Sequence, residues 1–96
     1  MSAPHNLQQR LKDLPDSPGV YLYKDSCGAI IYVGKASILK RRVRSYFTKK
    51  HLDKKTTVLV ENISSIDWIV TASEGEALFL EAELIKRYKP LYNIRD

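Results

Sequence analysis

Two short runs of alternating aromatic and β-branched residues, GVYLYK at 19–24 and AIIYV at 29–33, stand four residues apart across Asp25-Ser26-Cys27-Gly28. Runs of this length and composition, joined by a turn rich in Asp, Ser and Gly, read as a β-hairpin that Gly34 closes. Pro15 and Pro18 stand just before it and stop a short amphipathic helix marked by Leu7, Leu11 and Leu14. Residues 37–47 predict a second helix, and 54–63 a third entered through Thr56 and Thr57. Residues 66–71 (IDWIVT) predict a third strand. A last helix over 75–88 opens at Ser73 or Glu74, where Ser73-Glu74-Gly75-Glu76 matches a Ser-x-x-Glu capping box, and Lys89-Pro90 ends it. The order α-β-β-α-α-β-α belongs to the α/β class, with a small three-stranded, mainly antiparallel sheet flanked by helices.

With 96 residues, the chain is expected to form one domain over 1–96. No apolar run approaches the ~20 residues of a membrane span, so no membrane partner is expected. The first residues, MSAPHNLQQRLKDL, lack the apolar centre of an export signal. The single cysteine, Cys27, excludes an internal disulfide and suits a reducing compartment, so the expected location is the cytoplasm. His5 and His51 match no ligand spacing and are expected at the surface.

The net charge of +5 is unevenly placed. Residues 35–55 hold Lys35, Lys40, Arg41, Arg42, Arg44, Lys49, Lys50, Lys54 and Lys55 against only Asp53. Residues 66–85 hold Asp67, Glu74, Glu76, Glu81 and Glu83 and no Lys or Arg. A basic segment beside an acidic one suits a phosphate-backbone binder with a cation site.

Two charged residues sit where apolar ones are expected. At ~100° per residue, Ala77, Leu78, Leu84, Ile85 and Tyr88 share one face of the last helix, and Glu81 falls within that stripe. A carboxylate there must be paired, neutral or bound to a metal. Glu74, Glu76 and Glu83 are explained by first-turn charge or a solvated flank. In the helix over 37–47, Arg42 falls between Ile38 and Leu39 on the side that Val43 completes, with Tyr46 one turn on. An inward guanidinium is the natural long-range partner of Glu81. The pair reads either as a structural salt bridge or as a site where a cation, a metal-binding carboxylate and a phosphate converge.

The hairpin supplies phenols. Alternation places Tyr21 with Tyr23 and Ile30 with Tyr32. Lys35, just past the strand end at Gly34, can return its ammonium toward Tyr32. A phenol of pKa ~10 is only about 0.1% ionised at pH 7, and a nearby cation moves it toward a usable base. A GxxxxGK[ST] loop, an HExxH motif and a Cys–His nucleophile are all missing.

The pairing of Gly19-Val20-Tyr21 with Tyr32-Val33-Gly34 resembles the paired motif of the GIY-YIG nucleases. The longer set runs Pro18-Gly19-Val20-Tyr21, Ile31-Tyr32-Val33-Gly34-Lys35-Ala36, Leu39-Lys40-Arg41-Arg42-Val43, Ser45-Tyr46-Phe47, Glu76-Ala77-Leu78, Leu80-Glu81, Leu84-Ile85-Lys86 and Pro90-Leu91-Tyr92-Asn93. In that order and spacing it is similar to the N-terminal domain of the C component of excinuclease ABC, from bacterial nucleotide excision repair. The likeness runs from about Leu7 to Asn93.

The resemblance implies a GIY-YIG fold and a Mg²⁺-dependent endonuclease that cuts the damaged strand on the 3′ side of a lesion. It implies Tyr32 as general base, directly or through a metal-bound water. Arg42 would face the scissile phosphate, and Glu81 would be the sole protein ligand to a single Mg²⁺ for which Mn²⁺ can substitute. Tyr21, Lys35, Tyr46 and Asn93 would complete the pocket, Asn93 on the resemblance alone. Lys40, Arg41, Arg44, Lys49 and Lys50 are the expected DNA contacts. The implied partners are damaged double-stranded DNA and the other excinuclease components, chiefly the B component, with the isolated domain a monomer. Residues 1–96 would then be the N-terminal part of a longer multidomain protein. The alternatives are a stand-alone GIY-YIG relative or a non-catalytic nucleic-acid-binding module.

Overall fold

The computed structural model describes residues 5–48, 50 and 53–93. Helix α1 (His5–Asp13) leads into strands β1 (Gly19–Lys24) and β2 (Ile30–Ala36). Helices α2 (Leu39–Thr48) and α3 (Lys54–Glu61), strand β3 (Ser65–Val70) and helix α4 (Glu74–Tyr88) complete the order expected from the sequence. The sheet is antiparallel throughout, in the order β2-β1-β3.

The hairpin turn is tied by the Asp25 carboxylate, which accepts from the amides of Cys27 and Ala29, while Gly28 takes the positive φ of 83° that favours glycine. Cys27 is a free, exposed thiol.

β1 is the centre of the sheet and is buried on both faces. Tyr21 and Tyr23 point to the side covered by α1, α2 and α3, and meet Leu7, Leu14, Leu39, Val43, Leu59 and Ile66. Val20 and Leu22 point to the other side, where with Val33 they meet Ala77 and Leu84 of α4.

Several boundaries and faces differ from the sequence reading. β2 does not stop at Val33 but runs through Gly34 and Lys35 to Ala36, because β1 offers pairing partners as far as Gly19. A bulge opposite Tyr23 and Lys24 shifts the register, so Ile30 packs toward α4 while Tyr32 packs toward α2. Simple alternation would place these two residues together. α2 starts two residues later than expected, since the Leu39 and Lys40 amides are held by the Ser17 and Pro15 carbonyls. α3 ends at Glu61, and its cap is Asp53 rather than the Thr56-Thr57 region.

On α4, Ala77 and Leu84 are buried and Leu80 and Ile85 pack beside them, whereas Leu78 and Tyr88 are exposed. The buried stripe is therefore rotated toward Leu80, which puts Glu81 at its edge, half-buried. Ser73 caps this helix by accepting from the Glu76 amide, and Lys89 ends it in the left-handed region.

Candidate active site

Tyr21 is 1% exposed, and its hydroxyl lies 2.9 Å from that of Tyr46. Its ring can lie over the β2 backbone only because residue 34 is glycine. Register pairs the two residues, and a Cβ on Gly34 would collide with the Tyr21 ring at Cζ and Oη.

Arg42 donates to both phenols, from Nε to the Tyr21 hydroxyl and from a terminal nitrogen to the Tyr46 hydroxyl, each at 3.4 Å. Its guanidinium carbon lies 5.2 Å from the centre of the Tyr46 ring. The residue as a whole is exposed, so the inward guanidinium expected from the sequence sits at the rim of the phenol cluster rather than inside a core. Hydrogen bonding to Tyr21, against a smaller opposing effect of burial, raises its pKa above the ordinary arginine value, so the charge is permanent.

Tyr32 stands beside this group, half-buried, with its ring 6.1 Å from Tyr23 and 6.5 Å from Tyr46. Burial raises its pKa to about 12. The Tyr46 phenol adds to that, the Arg42 charge opposes it, and the Glu81 carboxylate is near enough to raise it further. At pH 7 only about one phenol in 10⁵ is then ionised.

The ammonium expected to lower this pKa is not there. Lys35 pairs with Val20, so its side chain leaves the α4 face of the sheet while Tyr32 lies on the α2 face. Lys35 is exposed, and its charge is absent from the influences on Tyr32. The structure thus separates Lys35 from the phenol it was expected to serve.

Glu81 keeps its carboxylate free. Among the described residues it has no ion pair, and the salt bridge considered between Glu81 and Arg42 does not form; the ion pairs are Asp67 with Arg10 and with Lys24. No group of three or more His, Cys, Asp or Glu side chains gathers anywhere among the described residues. A single half-buried carboxylate open to solvent suits Mg²⁺, which often takes one or two carboxylates and keeps several waters.

Asn93 is held at the free edge of the sheet. Its Oδ1 accepts from the Val33 amide at 2.8 Å and its Nδ2 donates to the Val33 carbonyl at 2.9 Å, while the Tyr92 amide donates to the Ile31 carbonyl at 3.0 Å. The side-chain amide thus imitates a neighbouring strand. Asn93 fixes the residue next to Tyr32, and both its polar atoms are already engaged.

Lys40, Arg41 and Arg44 leave the outer side of α2 and line an open groove of about 470 Å³ with Asp16, Ser45 and Thr48. Lys50 is exposed; Lys49, His51 and the side chain of His5 lie outside the described residues. Gly34 belongs to the hairpin motif, and its place under Tyr21 is open to inference from the sequence. Lys55, Thr56 and Tyr92 are not separable from ordinary surface residues by pattern alone. They form, with Tyr32, Tyr46, Leu59 and Asn93, a cleft of about 260 Å³ beside the phenols.

Residues 17–94 match the model of the UvrC-like GIY-YIG domain. The chain is 58% identical over 90 residues to UvrABC system protein C of Clostridium kluyveri and 57% identical to that of Clostridium acetobutylicum, covering 93% of this chain in each case. It spans 14% of the length of these relatives. Its fold superposes on the GIY-YIG N-terminal endonuclease domain of UvrC from Thermotoga maritima bound to magnesium. That comparison has a TM-score of 0.83 and 37% identity, and covers 95% of this chain and 99% of the other. A Tyr-to-Phe point mutant of the same domain, bound to its catalytic divalent cation, gives a TM-score of 0.84 at the same identity. The chain therefore belongs to the UvrC-like GIY-YIG family of endonuclease domains.

Proposed function

We propose that this domain hydrolyses a DNA phosphodiester on the 3′ side of a lesion during nucleotide excision repair, using one Mg²⁺ held by Glu81. The observation that carries the reading is the Arg42 guanidinium hydrogen-bonded to Tyr21 and Tyr46 with the Tyr32 ring beside them, alongside a Glu81 carboxylate that makes no ion pair among the described residues. A module that only bound nucleic acid would have no use for an unpaired, half-buried carboxylate.

The surroundings of each residue support the role it is given. Tyr46 and Tyr21 hold the Arg42 guanidinium by two hydrogen bonds, so its remaining N–H groups are directed at a phosphate oxygen without reorganisation during reaction. Tyr32 is positioned to take the proton of the attacking water, but burial holds its phenol protonated in the free protein. When bound, the divalent cation supplies positive charge that lowers the pKa of this phenol and stabilises the leaving 3′ oxygen. Asn93 holds Tyr32 in place through Val33. Lys35 is exposed on the α4 face, so it is given no part in modulating Tyr32.

Lys40, Arg41 and Arg44, with Lys50 and Lys49, bind the phosphates of the duplex. The domain acts as the N-terminal part of a longer protein working with the other excinuclease components, chiefly the B component, in the cytoplasm. In isolation it is monomeric and accepts Mn²⁺ in place of Mg²⁺. No helix among the described residues is long and apolar enough to cross a membrane.

The test is Glu81→Gln in a reconstituted 3′ incision of a lesion-bearing duplex. Incision is expected to fall at least ~10²-fold, the scale of losing one strong electrostatic stabiliser, with an unchanged circular dichroism spectrum. Near-normal incision by this variant overturns the reading.

A further inference from the structure

The cleft beside the first turn of α3 shares Tyr32 and Tyr46 with the proposed reaction centre, but its other lining residues, Asn93 apart, have no role in that chemistry. Tyr32, Tyr46 and Tyr92 line it together with Lys55, Thr56 and Leu59 from α3. Neither Arg42 nor Glu81 lines it, so it adjoins the proposed reaction centre across the shared phenols. Leu59 is 4% exposed and three aromatic rings contribute, which suits a flat or apolar body such as a base or sugar.

Most polar groups of the lining are already committed. The Thr56 amide and hydroxyl both donate to the Asp53 carboxylate, at 2.8 and 2.6 Å. Asn93 is spent on Val33, and the Tyr92 hydroxyl accepts from Asn62 at 3.4 Å. With Asp53 capping α3, the helix end offers an anion little of its own. Lys55 is different: it is the only charged side chain of the lining, exposed, and without an ion-pair partner among the described residues. A lysine in one cleft with three aromatic rings and a buried leucine is the composition of a site for one sugar–phosphate unit with its base.

We infer that this cleft is the subsite for the nucleotide adjoining the scissile phosphate, with Lys55 binding that nucleotide's phosphate. The inference rests on the nuclease reading above for the direction of the strand, and adds a contact in a cleft separate from the groove lined by the α2 cations. DNA would then be held at two separate places, by Lys40, Arg41 and Arg44 in the α2 groove and by Lys55 in the cleft beside the phenols. Lys55 is a binding residue here, with no part in proton transfer or charge stabilisation.

The experiment measures binding of a fluorescein-labelled lesion-bearing duplex by anisotropy, with Ca²⁺ in place of Mg²⁺, across a salt series. Wild type, Lys55→Ala, Lys55→Arg and Lys54→Ala are compared, since Lys54 lies on the same turn but outside the cleft. Lys55→Ala is expected to weaken binding about 5–10-fold and to flatten the salt slope by about 0.9, the value for one lost phosphate contact on duplex DNA. Lys55→Arg returns to within about 2-fold of wild type, and Lys54→Ala stays there. In 3′ incision, Lys55→Ala raises KM with kcat unchanged, the signature of uniform binding. Equal losses for Lys54→Ala and Lys55→Ala reduce the effect to general surface charge and overturn the inference. No loss for Lys55→Ala, or no salt-dependent DNA binding by wild type, overturns it as well; the former would leave the cleft to an acidic protein segment. Because binding is read without cleavage, failure of the nuclease reading shows separately, as incision that survives Glu81→Gln.

Discussion

Replacing Asn93 by alanine removes the clasp on the free edge of β2, and its cost can be worked from the structure. Val33 is fully buried, and its amide and carbonyl both turn away from β1 to meet the Asn93 side chain. Two neutral hydrogen bonds are each worth about 0.5–1.5 kcal/mol, so the loss is about 2 kcal/mol. Water that fails to reach the freed amide adds a desolvation cost of about 1–3 kcal/mol. For a domain of this size, 2 kcal/mol lowers the melting temperature by roughly 8–16 °C. Asn93→Asp costs at least as much, because it turns an oxygen toward the Val33 carbonyl where the amide had a donor. The assays are thermal unfolding by circular dichroism and hydrogen exchange at the Val33 amide, which should lose its protection selectively. Incision should fall through kcat, since Tyr32 is the residue that loosens. A loss under about 0.5 kcal/mol with the Val33 amide still protected would refute the clasp.

Three further outcomes test the phenol cluster. Gly34→Ala should push Tyr21 off the strand, break its contact with Tyr46 and free Arg42, costing stability and at least ~10-fold in incision; a crystal structure with the phenols unmoved refutes this. Tyr23→Phe should stabilise the fold by about 1 kcal/mol, because the Tyr23 hydroxyl is buried with no hydrogen-bond partner; a destabilisation of that size in urea unfolding would show that the hydroxyl is bonded after all. Stability should also fall at alkaline pH. The folded state holds Tyr32 protonated up to about 12, against 10 in the unfolded chain, and burial moves Tyr21, Tyr23 and Tyr46 the same way. The contribution is complete below pH 10 and is lost as pH rises toward 12 and beyond. Urea midpoints that stay level from pH 9 to 12 would contradict this.

Much of the architecture was legible in the residue order because local rules and tertiary demands agree there. Pro15 and Pro18 stop α1, Asp25 and Gly28 turn the hairpin, and Ser73 starts α4, each through a backbone preference that needs no distant partner. The bounds of β1 follow from its residues alone. Arg42 and Glu81 stand out for a related reason: a charge set in an apolar pattern calls for a partner. Their shared site was an inference from anomaly, and the missing Arg42–Glu81 ion pair shows its limit, since periodicity says that a charge is misplaced and not what answers it.

What only the tertiary structure decided depends on register and on contacts between distant segments. The bulge opposite Tyr23 separates Ile30 from Tyr32, and continued pairing with β1 carries β2 on to Ala36 and puts Lys35 on the wrong face to serve Tyr32. Neither event has a signature in five or six residues, because strand length and register are set by the partner strand. Asn93 and Lys55 are plainer still. One is an ordinary tail residue until Val33, 60 positions earlier, comes within reach of its amide. The other is one lysine among many until folding brings it to the same cleft as two phenols from a different part of the chain. By itself the sequence determined which residue types were available and where the helices and hairpin begin. Folding decided which of those residues face one another, because a contact between residues tens of positions apart exists only once the core between them has packed.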